Sequence, residues 1–263
     1  IPWYERFVNY IKEASQGNLG YSSTHKKPVT EVIGNYAGPT LLLALVSLTI
    51  SIFIGIPAGI ISAVKQHTVI DNILTVMSFI GISIPSFFFG LLLLKAFAVD
   101  IQLFPLFGLK DPLLMSDNIF VKIKDIAWHL VLPSIVLGLN STASFMRYTR
   151  SSMLEVIKQD YIRTARAKGL KEKTIIYRHA FRNGIIPLIT LLGFWIPLLL
   201  SGAIVTESIF ALPGLGKISV EAAMSRNYPL ILGINSILAI LTLIGSLVAD
   251  ILYALADPRI RYD

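Results

Sequence analysis

The side chains that usually carry out catalysis or bind metals are scattered in this chain. The sequence has no cysteine, four histidines and five methionines, and neither His129 nor His179 has a second histidine at a metal-ligand spacing. It contains no Walker sequence, no zincin-type pair of His and Glu, and no serine in a Gly-x-Ser-x-Gly setting. The sequence therefore predicts no catalytic residue, no metal site and no cofactor bound by this chain.

The strongest chemical signal is a concentration of positive charge between residues 147 and 182. This segment contains three acids and ten Lys/Arg, so its net charge of +7 equals that of the whole chain. The basic residues are Arg147, Arg150, Lys158, Arg163, Arg166, Lys168, Lys171, Lys173, Arg178 and Arg182. A basic balance also occurs in nucleic-acid-binding proteins. Here the charge adjoins long apolar segments, so we expect no nucleic-acid partner.

Apolar segments long enough to cross a lipid bilayer flank this basic loop. Only 15% of the residues are charged, against about 25% in soluble domains, and the mean hydropathy is +0.68. A transmembrane helix needs about 20 apolar residues. Five windows free of Asp, Glu, Lys and Arg reach that length, at 32–64, 72–94, 126–146, 183–206 and 227–249. Because helices satisfy their own backbone in lipid, we expect an all-α polytopic membrane protein with five transmembrane helices.

The distribution of Lys and Arg predicts which side of the membrane each loop faces, because cytoplasmic loops are enriched in these residues. Placing the 147–182 loop, the 64–71 turn with Lys65 and the C-terminus in the cytoplasm puts 13 basic residues there and nine outside, where nine acids balance them. Residues 1–35 are then an extracytoplasmic segment with an interfacial helix, and residues 36–263 form the transmembrane domain. The apolar stripe of that helix is Trp3, Phe7, Ile11 and Ala14.

Within the basic loop, the apolar spacing predicts a helix–turn–helix. No Gly or Pro occurs over 151–168, Gly169 then ends the helix, and a helical pattern resumes over 171–181. The apolar face of the first helix is Leu154, Ile157, Tyr161 and Ala165. A short helix with small surface residues can fit into the groove of a partner protein. The alternative is a solvated positive-inside loop without a partner.

The same loop resembles the cytoplasmic signature of the permease subunits of binding-protein-dependent ABC importers. The signature positions present in register are Leu154, Arg163, Thr164, Ala165, Gly169, Leu170, Ile176, Phe181 and Arg182. Other motifs are similar to the peptide branch of these permeases, which includes oligopeptide, dipeptide and nickel permeases. They are Tyr161-Ile-Arg-Thr-Ala-Arg-Ala-Lys-Gly-Leu170, Arg147-x-x-Arg150, Glu207-Ser-Ile-Phe210, Pro213-Gly-Leu-Gly216 and Asp257-Pro-Arg259. The segments Pro2-Trp3-Tyr4 and Gly20-Tyr-Ser22 resemble the first of the two permeases in that branch.

This resemblance implies a type I ABC importer permease fold, in which six helices are usual, so a first helix is expected upstream of this sequence. It implies as partners a second permease subunit, two cytoplasmic ATPases that bind ATP and Mg²⁺, and an extracytoplasmic substrate-binding protein at a bacterial inner membrane. The implied cargo is an oligopeptide or dipeptide, with nickel, an opine or a metallophore as the alternative. The implied ATPase-docking residues are Thr164, Ala165, Arg166, Ala167, Lys168, Gly169 and Leu170.

Polar side chains in or beside the predicted spans are candidates for a translocation path or gate. They are Asn140, Ser144, Glu207 and Asn235. For Ser144, helix packing is the stronger interpretation, and Glu207 is equally consistent with an acid in water at the outer end of a span. A secondary transporter or a channel is the alternative class of function. The former needs acids deep in the spans or unwound half-helices in paired repeats, and the sequence shows neither.

Overall fold

The computed structural model describes residues 2–256, except for several side chains between residues 190 and 202 and that of residue 256. The Asp257-Pro-Arg259 motif lies outside the described residues. The described regular structure is helical apart from a hairpin in which β1 (Tyr21–Ser22) pairs antiparallel with β2 (Lys27–Pro28). The helices are α1 (Trp3–Ser15), α2 (Val29–Val64), α3 (Val69–Ser83), α4 (Ser86–Leu93) with a π-helical continuation (Leu94–Asp100), α5 (Ile119–Ile157), α6 (Asp160–Ala167), α7 (Glu172–Thr174) with a π-helical continuation (Ile175–Ala180), α8 (Phe181–Gly184), α9 (Ile186–Ile209), α10 (Leu215–Met224) and α11 (Tyr228–Ala256).

The two longest described helices, α2 and α5, pack closely because small residues line their contact. On α2, four buried small residues follow one another at a spacing of four, which places them on one face. They are Ser47, Ser51, Gly55 and Gly59. A Cβ on Gly55 would lie 2.7 Å from the Thr142 carbonyl oxygen, and one on Gly59 would lie 2.6 Å from that of Met146. This spacing lets two backbones approach as they do in membrane helix pairs.

The second predicted span is not one straight helix. Helices α3 and α4 meet at a bend of 104°, whereas the apolar window over 72–94 predicts an uninterrupted helix. The break lies at Ile84 and Pro85, and Ile84 is extended with φ −75° and ψ 125°. Proline disfavours the helical conformation of the residue before it and has no N–H to donate. The bend therefore follows from Pro85, which the apolar composition of the window concealed.

The structure does not confirm the predicted number of five spans. Among the described residues, α2 and the Tyr228–Leu255 part of α11 are long and apolar enough to cross a membrane, and the bent α3–α4 pair would make a third. Helix α2 begins at Val29, so it runs across the predicted boundary between residues 35 and 36. Helices α2, α5 and α11 are thus longer than the corresponding charge-free windows, and the second window is divided between two helices.

An apolar cluster closes the end of the bundle where α2 begins. Its buried members come from the N-terminal segment, α2, α10 and α11. They are Leu19, Val29, Val32, Ile33, Leu215, Ile218, Ala222, Leu230 and Ile234. Next to it, the Asn227 amide donates to the hydroxyls of Ser22 and Thr24, both at 2.7 Å. These contacts tie the hairpin to the two helices that follow α9.

Helix α1 forms as predicted and leaves most of its apolar stripe exposed. The side chains of Trp3, Phe7 and Ile11 are exposed, whereas Ala14 packs against the cluster just described. The Tyr10 hydroxyl is 3.0 Å from the Ser236 hydroxyl of α11, which anchors the helix. An anchored helix with an exposed apolar stripe has the form of an interfacial helix; its place at a membrane surface stays a prediction.

Candidate functional site

The predicted docking helix is shorter than the pattern over 151–168 suggested. Helix α5 ends at Ile157, and a new helix, α6, starts at Asp160 after an extended Gln159 (φ −70°, ψ 149°). The break changes the buried face, so Ile162 is fully buried while the predicted Tyr161 is 42% exposed. The sequence signal for the break was the polar run Lys158-Gln159-Asp160. An acid such as Asp160 favours the first turn of a helix, so this run is consistent with the start of a new one.

Helix α6 packs on the π-helical segment after α7 and shares an apolar cluster with the ends of α2 and α5. Its buried residues, Ile162 and Ala165, belong to one apolar cluster with residues from both helices and from the π-helical segment after α7. The other members are Ile60, Ala63, Met153, Ile175, Ile176 and Ala180. Ala165 is therefore covered by this chain, and it supports the predicted docking surface from below. A displacement of α6 would therefore reach α2 and α5 through this cluster.

The turn after α6 requires glycine for its backbone conformation. Gly169 has φ +74°, a left-handed conformation that glycine adopts at little cost, and its N–H donates to the Arg166 carbonyl at 2.9 Å. A Cβ built on Gly169 would have no described atom within 4 Å. The turn is thus bare on its outer side. The exposed residues around it are Thr164, Arg166, Ala167, Lys168 and Leu170.

An ion pair braces this turn. The Arg166 guanidinium donates to the Glu172 carboxylate, with the shortest contact at 2.6 Å. Hydrogen bonding from Arg166 lowers the pKa of Glu172 below its ordinary value. A carboxylate with a lowered folded pKa contributes stability that is present at neutral pH and is lost as the pH falls through that pKa. Arg166 therefore helps to shape the turn. Lys168, directly after α6, has no ion pair with any described residue.

A buried acid that sequence reasoning missed lies close to this site. Asp71, at the start of α3, is 2% exposed and accepts two hydrogen bonds from the Arg150 guanidinium of α5, at 2.8 and 2.9 Å. It also accepts from the Ser62 hydroxyl at the end of α2 and from the His67 backbone N–H at 3.0 Å. The only sequence signals were an acid directly before the second apolar window and the Arg147-x-x-Arg150 motif.

The bend between α3 and α4 borders a cavity that contains one of the predicted path residues. The cavity has a volume of about 350 Å³. Its lining includes Gly81, Ile84 and Pro85 from the bend and Asn140 from α5. Ser144 lies further along α5, and Asn235 is exposed on α11. The structure thus places Asn140 beside a break in the helix and does not group it with the other candidates in this cavity.

Glu207 lies in the protein interior and not in water. It is 1% exposed near the end of α9. Its carboxylate accepts from the Thr40 hydroxyl of α2 at 2.6 Å and from the Lys217 backbone N–H at 3.1 Å. The Thr40 oxygen in turn accepts from the Leu215 N–H at 2.7 Å. Glu207 and Thr40 therefore cap the N-terminus of α10, whose first N–H groups have no partner within the helix.

Two glycines make room for this carboxylate. A Cβ on Gly214 would collide with the Glu207 carboxyl group, and one on Gly216 would lie 2.5 Å from the Ile204 Cα. The motifs Glu207-Ser-Ile-Phe210 and Pro213-Gly-Leu-Gly216 are thus two halves of one structure. Both motifs are visible in the sequence, but their contact could not be predicted from it, since that contact depends on how the chain turns between α9 and α10.

The sequence matches a known family over most of these elements. Residues 55–262 match the family described as binding-protein-dependent transport system inner membrane component. The chain belongs to this family. It is therefore a transport component of an inner membrane, and this favours the importer permease over the secondary transporter and the channel considered from the sequence. The resemblance drawn from the basic loop is confirmed.

Family members with high similarity carry names from peptide transport. The chain is 44% identical to the oligopeptide transport system permease protein AppB of Bacillus subtilis, over 99% of this chain and 81% of AppB. It is 37% identical to the glutathione transport system permease protein GsiC of Escherichia coli O6:H1, over 99% and 80%. It is 36% identical to the dipeptide transport system permease protein DppB of Escherichia coli K12, over 99% and 82%.

Solved structures with a similar fold include the MetNI methionine ABC transporter in inward-facing conformations. The TM-score is 0.68, with 17% sequence identity, and the match covers 86% of this chain and 96% of that chain. A second crystal form of MetNI gives a TM-score of 0.67 at 16% identity. The likeness confirms the expected type I ABC importer permease fold.

Proposed function

We propose that this chain is the permease subunit of an ATP-driven, binding-protein-dependent importer of oligopeptides or dipeptides. The observation that carries the proposal is the 44% identity to an oligopeptide permease over 99% of this chain. The names of DppB and GsiC, a dipeptide and a glutathione permease, point to the same class of cargo. The alternative within the same class is a permease for nickel, an opine or a metallophore.

The proposed partners are a second permease subunit, two cytoplasmic ATPases that bind ATP and Mg²⁺, and an extracytoplasmic substrate-binding protein. The surface proposed to dock an ATPase is the exposed side of α6 and the Gly169 turn, which we call the coupling surface. It consists of Thr164, Arg166, Ala167, Lys168, Gly169 and Leu170. Its support is that this surface is exposed and bare at Gly169, while the residues beneath it share an apolar cluster with α2 and α5.

The proposed orientation has the 147–182 loop and the C-terminus in the cytoplasm and residues 1–35 outside. Its support is the charge asymmetry and the length of α2. The beginning of α2 joins the cluster that contains Leu19 and residues of α10, and its end joins the cluster that contains residues of α6. The two clusters therefore lie at opposite ends of one long helix. In this orientation the coupling surface faces the compartment that holds ATP.

The proposed path includes the cavity at the bend between α3 and α4. Asn140 supplies a hydrogen-bonding side chain there, and an amide can both donate to and accept from a peptide backbone. Ser144 and Asn235 are proposed to face the same route in the assembled importer. Glu207 is proposed to act at the outer end as the support of α10 and not as a group that contacts cargo.

The test is purification of the tagged full-length protein in mild detergent, followed by reconstitution with the proteins that accompany it. We expect a second permease and one or two ATPases to co-purify, and ATP-dependent uptake of labelled di-, tri- and oligopeptides once the binding protein is added. Uptake of ⁶³Ni²⁺ or an opine in place of every peptide would replace the proposed cargo. Recovery of the chain alone in several detergents would contradict the importer assembly.

A further inference from the structure

The end of α2, the start of α3 and the C-terminal part of α5, all cytoplasmic in the proposed orientation, meet at a single buried carboxylate. Asp71 is held by the forked guanidinium of Arg150, whose Nε and Nη2 donate to different carboxylate oxygens at 2.8 and 2.9 Å. The Ser62 hydroxyl, the His67 N–H and, at 3.4 Å, the Thr75 hydroxyl also donate to it. A planar guanidinium that binds a carboxylate through two bonds fixes orientation as well as distance. This cluster around Asp71 is therefore a joint between three elements.

The joint lies directly behind the elements that carry the coupling surface. Arg150 is one turn before Met153, and Ser62 lies between Ile60 and Ala63 on α2. Met153, Ile60 and Ala63 belong to the apolar cluster on which α6 rests. A displacement of α6 is thus transmitted through packed side chains to the two helix ends that hold Asp71, because densely packed interiors transmit strain.

Helix α3 packs along α5 and α2, but few of its described side chains are fully buried. Its buried residues are Asp71, Ser78 and Gly81, and most of its large apolar residues are exposed. These exposed residues are Val69, Ile70, Ile73, Val76, Met77, Phe79 and Ile80. At its far end, α3 reaches the bend and the cavity lined by Gly81, Ile84 and Asn140. Asp71 is thus the charged anchor of a helix whose other end forms part of the proposed path.

We propose that the Asp71–Arg150 pair is the positioning link that makes α3 move as one body with the coupling surface, so that ATPase movement reaches the cavity at the bend. This inference rests on the proposed function. In this proposal neither residue needs to contact an ATPase or the cargo. They act by holding α3 in a fixed relation to α2 and α5. Without the link, α3 can keep its place in the bundle in one state and lag behind the coupling surface in the other.

The decisive experiment measures this relation directly in the assembled importer. The chain has no cysteine, so Ile73→Cys on α3 and Tyr177→Cys beside α6, both at exposed positions, can carry two spin labels. Double electron–electron resonance then gives the distance between the labels without nucleotide and with trapped ATP. We expect one narrow distance, unchanged between the two states, in the labelled parent protein.

In the Asp71→Asn variant we expect the distribution to broaden and to differ between the two states. We also expect the number of peptides imported per ATP hydrolysed to fall about tenfold, because removing one partner of a buried pair leaves the other charge unpaired. The ATPases should still co-purify. Arg150→Lys, which keeps the charge but cannot form the fork, should give an intermediate coupling ratio.

The matched control is Lys95→Gln, which breaks an ion pair with Asp100 of similar length, 2.7 Å, whose side chains are both exposed. It should leave the coupling ratio unchanged. If Asp71→Asn does not assemble, the double variant Asp71→Asn/Arg150→Gln, which leaves no unpaired charge, takes its place and should show the same uncoupling. A parental distance that changes between states, or variants with the parental coupling ratio, would overturn the link. A parent that assembles without ATPases would instead overturn the proposed function on which the link depends.

Discussion

The Glu207 carboxylate shows how a single buried residue can position a helix. It accepts from Thr40 and from the first turn of α10, and both glycines of Pro213-Gly-Leu-Gly216 are close to it. Glu207 therefore supports α10 at the end of the bundle where α2 begins. This role is structural, and it gives a prediction that differs from that of an acid exposed to solvent.

We expect Glu207→Ala to lower the stability of the purified protein by roughly 2 kcal/mol or more, because each buried hydrogen-bonding group left without a partner costs about 1–3 kcal/mol. The measurement is the midpoint of thermal unfolding in detergent, followed by intrinsic fluorescence. The matched control is Glu221→Ala on the exposed side of α10, which should leave the midpoint nearly unchanged. Equal midpoints for the two variants would show that the buried contacts do not support α10.

The conformation of Gly169 leads to a second prediction about a single residue. Gly169→Asp adds a side chain and a negative charge to the bare turn of the coupling surface and disfavours its φ of +74°. We expect the spans to stay folded and ATP hydrolysis to continue, while peptide uptake is lost. Uptake and hydrolysis are measured on the same proteoliposomes. Normal uptake by this variant would show that no partner approaches the turn closely.

At the scale of elements, the packing of α2 on α5 depends on the absence of side chains at a few positions. A Cβ on Gly59 would lie 2.5 Å from the Thr149 Cβ and 2.6 Å from the Met146 carbonyl oxygen. A Cβ on Gly38 of the same helix would have no described atom within 4 Å. The two positions are therefore a matched pair in one helix.

We expect Gly59→Ala to destabilise the protein by about 1–3 kcal/mol, the usual cost of extra volume in a packed contact. Gly38→Ala should be neutral or stabilising by up to about 1 kcal/mol, because alanine is the better helix former. Thermal unfolding of the two purified variants in one detergent provides the comparison. The stripe of small residues would be irrelevant to packing if both changes had the same effect.

The sequence predicted elements better than it predicted their ends and their contacts. Apolar windows and the glycine at position 169 predicted helices and a turn that the structure contains. The breaks at Gln159 and Pro85 were missed because a periodicity or composition averaged over many residues is insensitive to one extended residue. The link from Asp71 to Arg150 and that from Glu207 to Thr40 join residues 79 and 167 positions apart, and a local pattern carries no information about such pairs.

At the scale of the whole molecule, the charge asymmetry predicts one orientation in the membrane. Because the chain has no cysteine, single cysteines can report it. Met115, which is 99% exposed in the segment before α5, should react from the outside of intact cells when changed to cysteine. Lys168→Cys in the coupling surface should react with a membrane-impermeant maleimide only after the cells are opened.

The opposite labelling pattern would contradict this orientation. Labelling of Lys168→Cys in intact cells, with protection of Met115→Cys, would invert the orientation and place the coupling surface away from ATP. Met224→Cys, at the exposed end of α10, is the control on the side of Met115. It should share the accessibility of Met115→Cys whichever orientation is found.

The bend between α3 and α4 has a consequence for water. Pro85 has no N–H to give to the carbonyl one turn before it, and extended Ile84 interrupts the helical ladder there. Backbone of this kind is tolerated within the depth of a bilayer only where protein covers it or where it lines a wet cavity. The 350 Å³ cavity beside Asn140 is thus expected to be hydrated. Water held partway through the membrane would shorten the apolar barrier to ions. The apolar side chains around the bend must then block ion leakage between transport cycles.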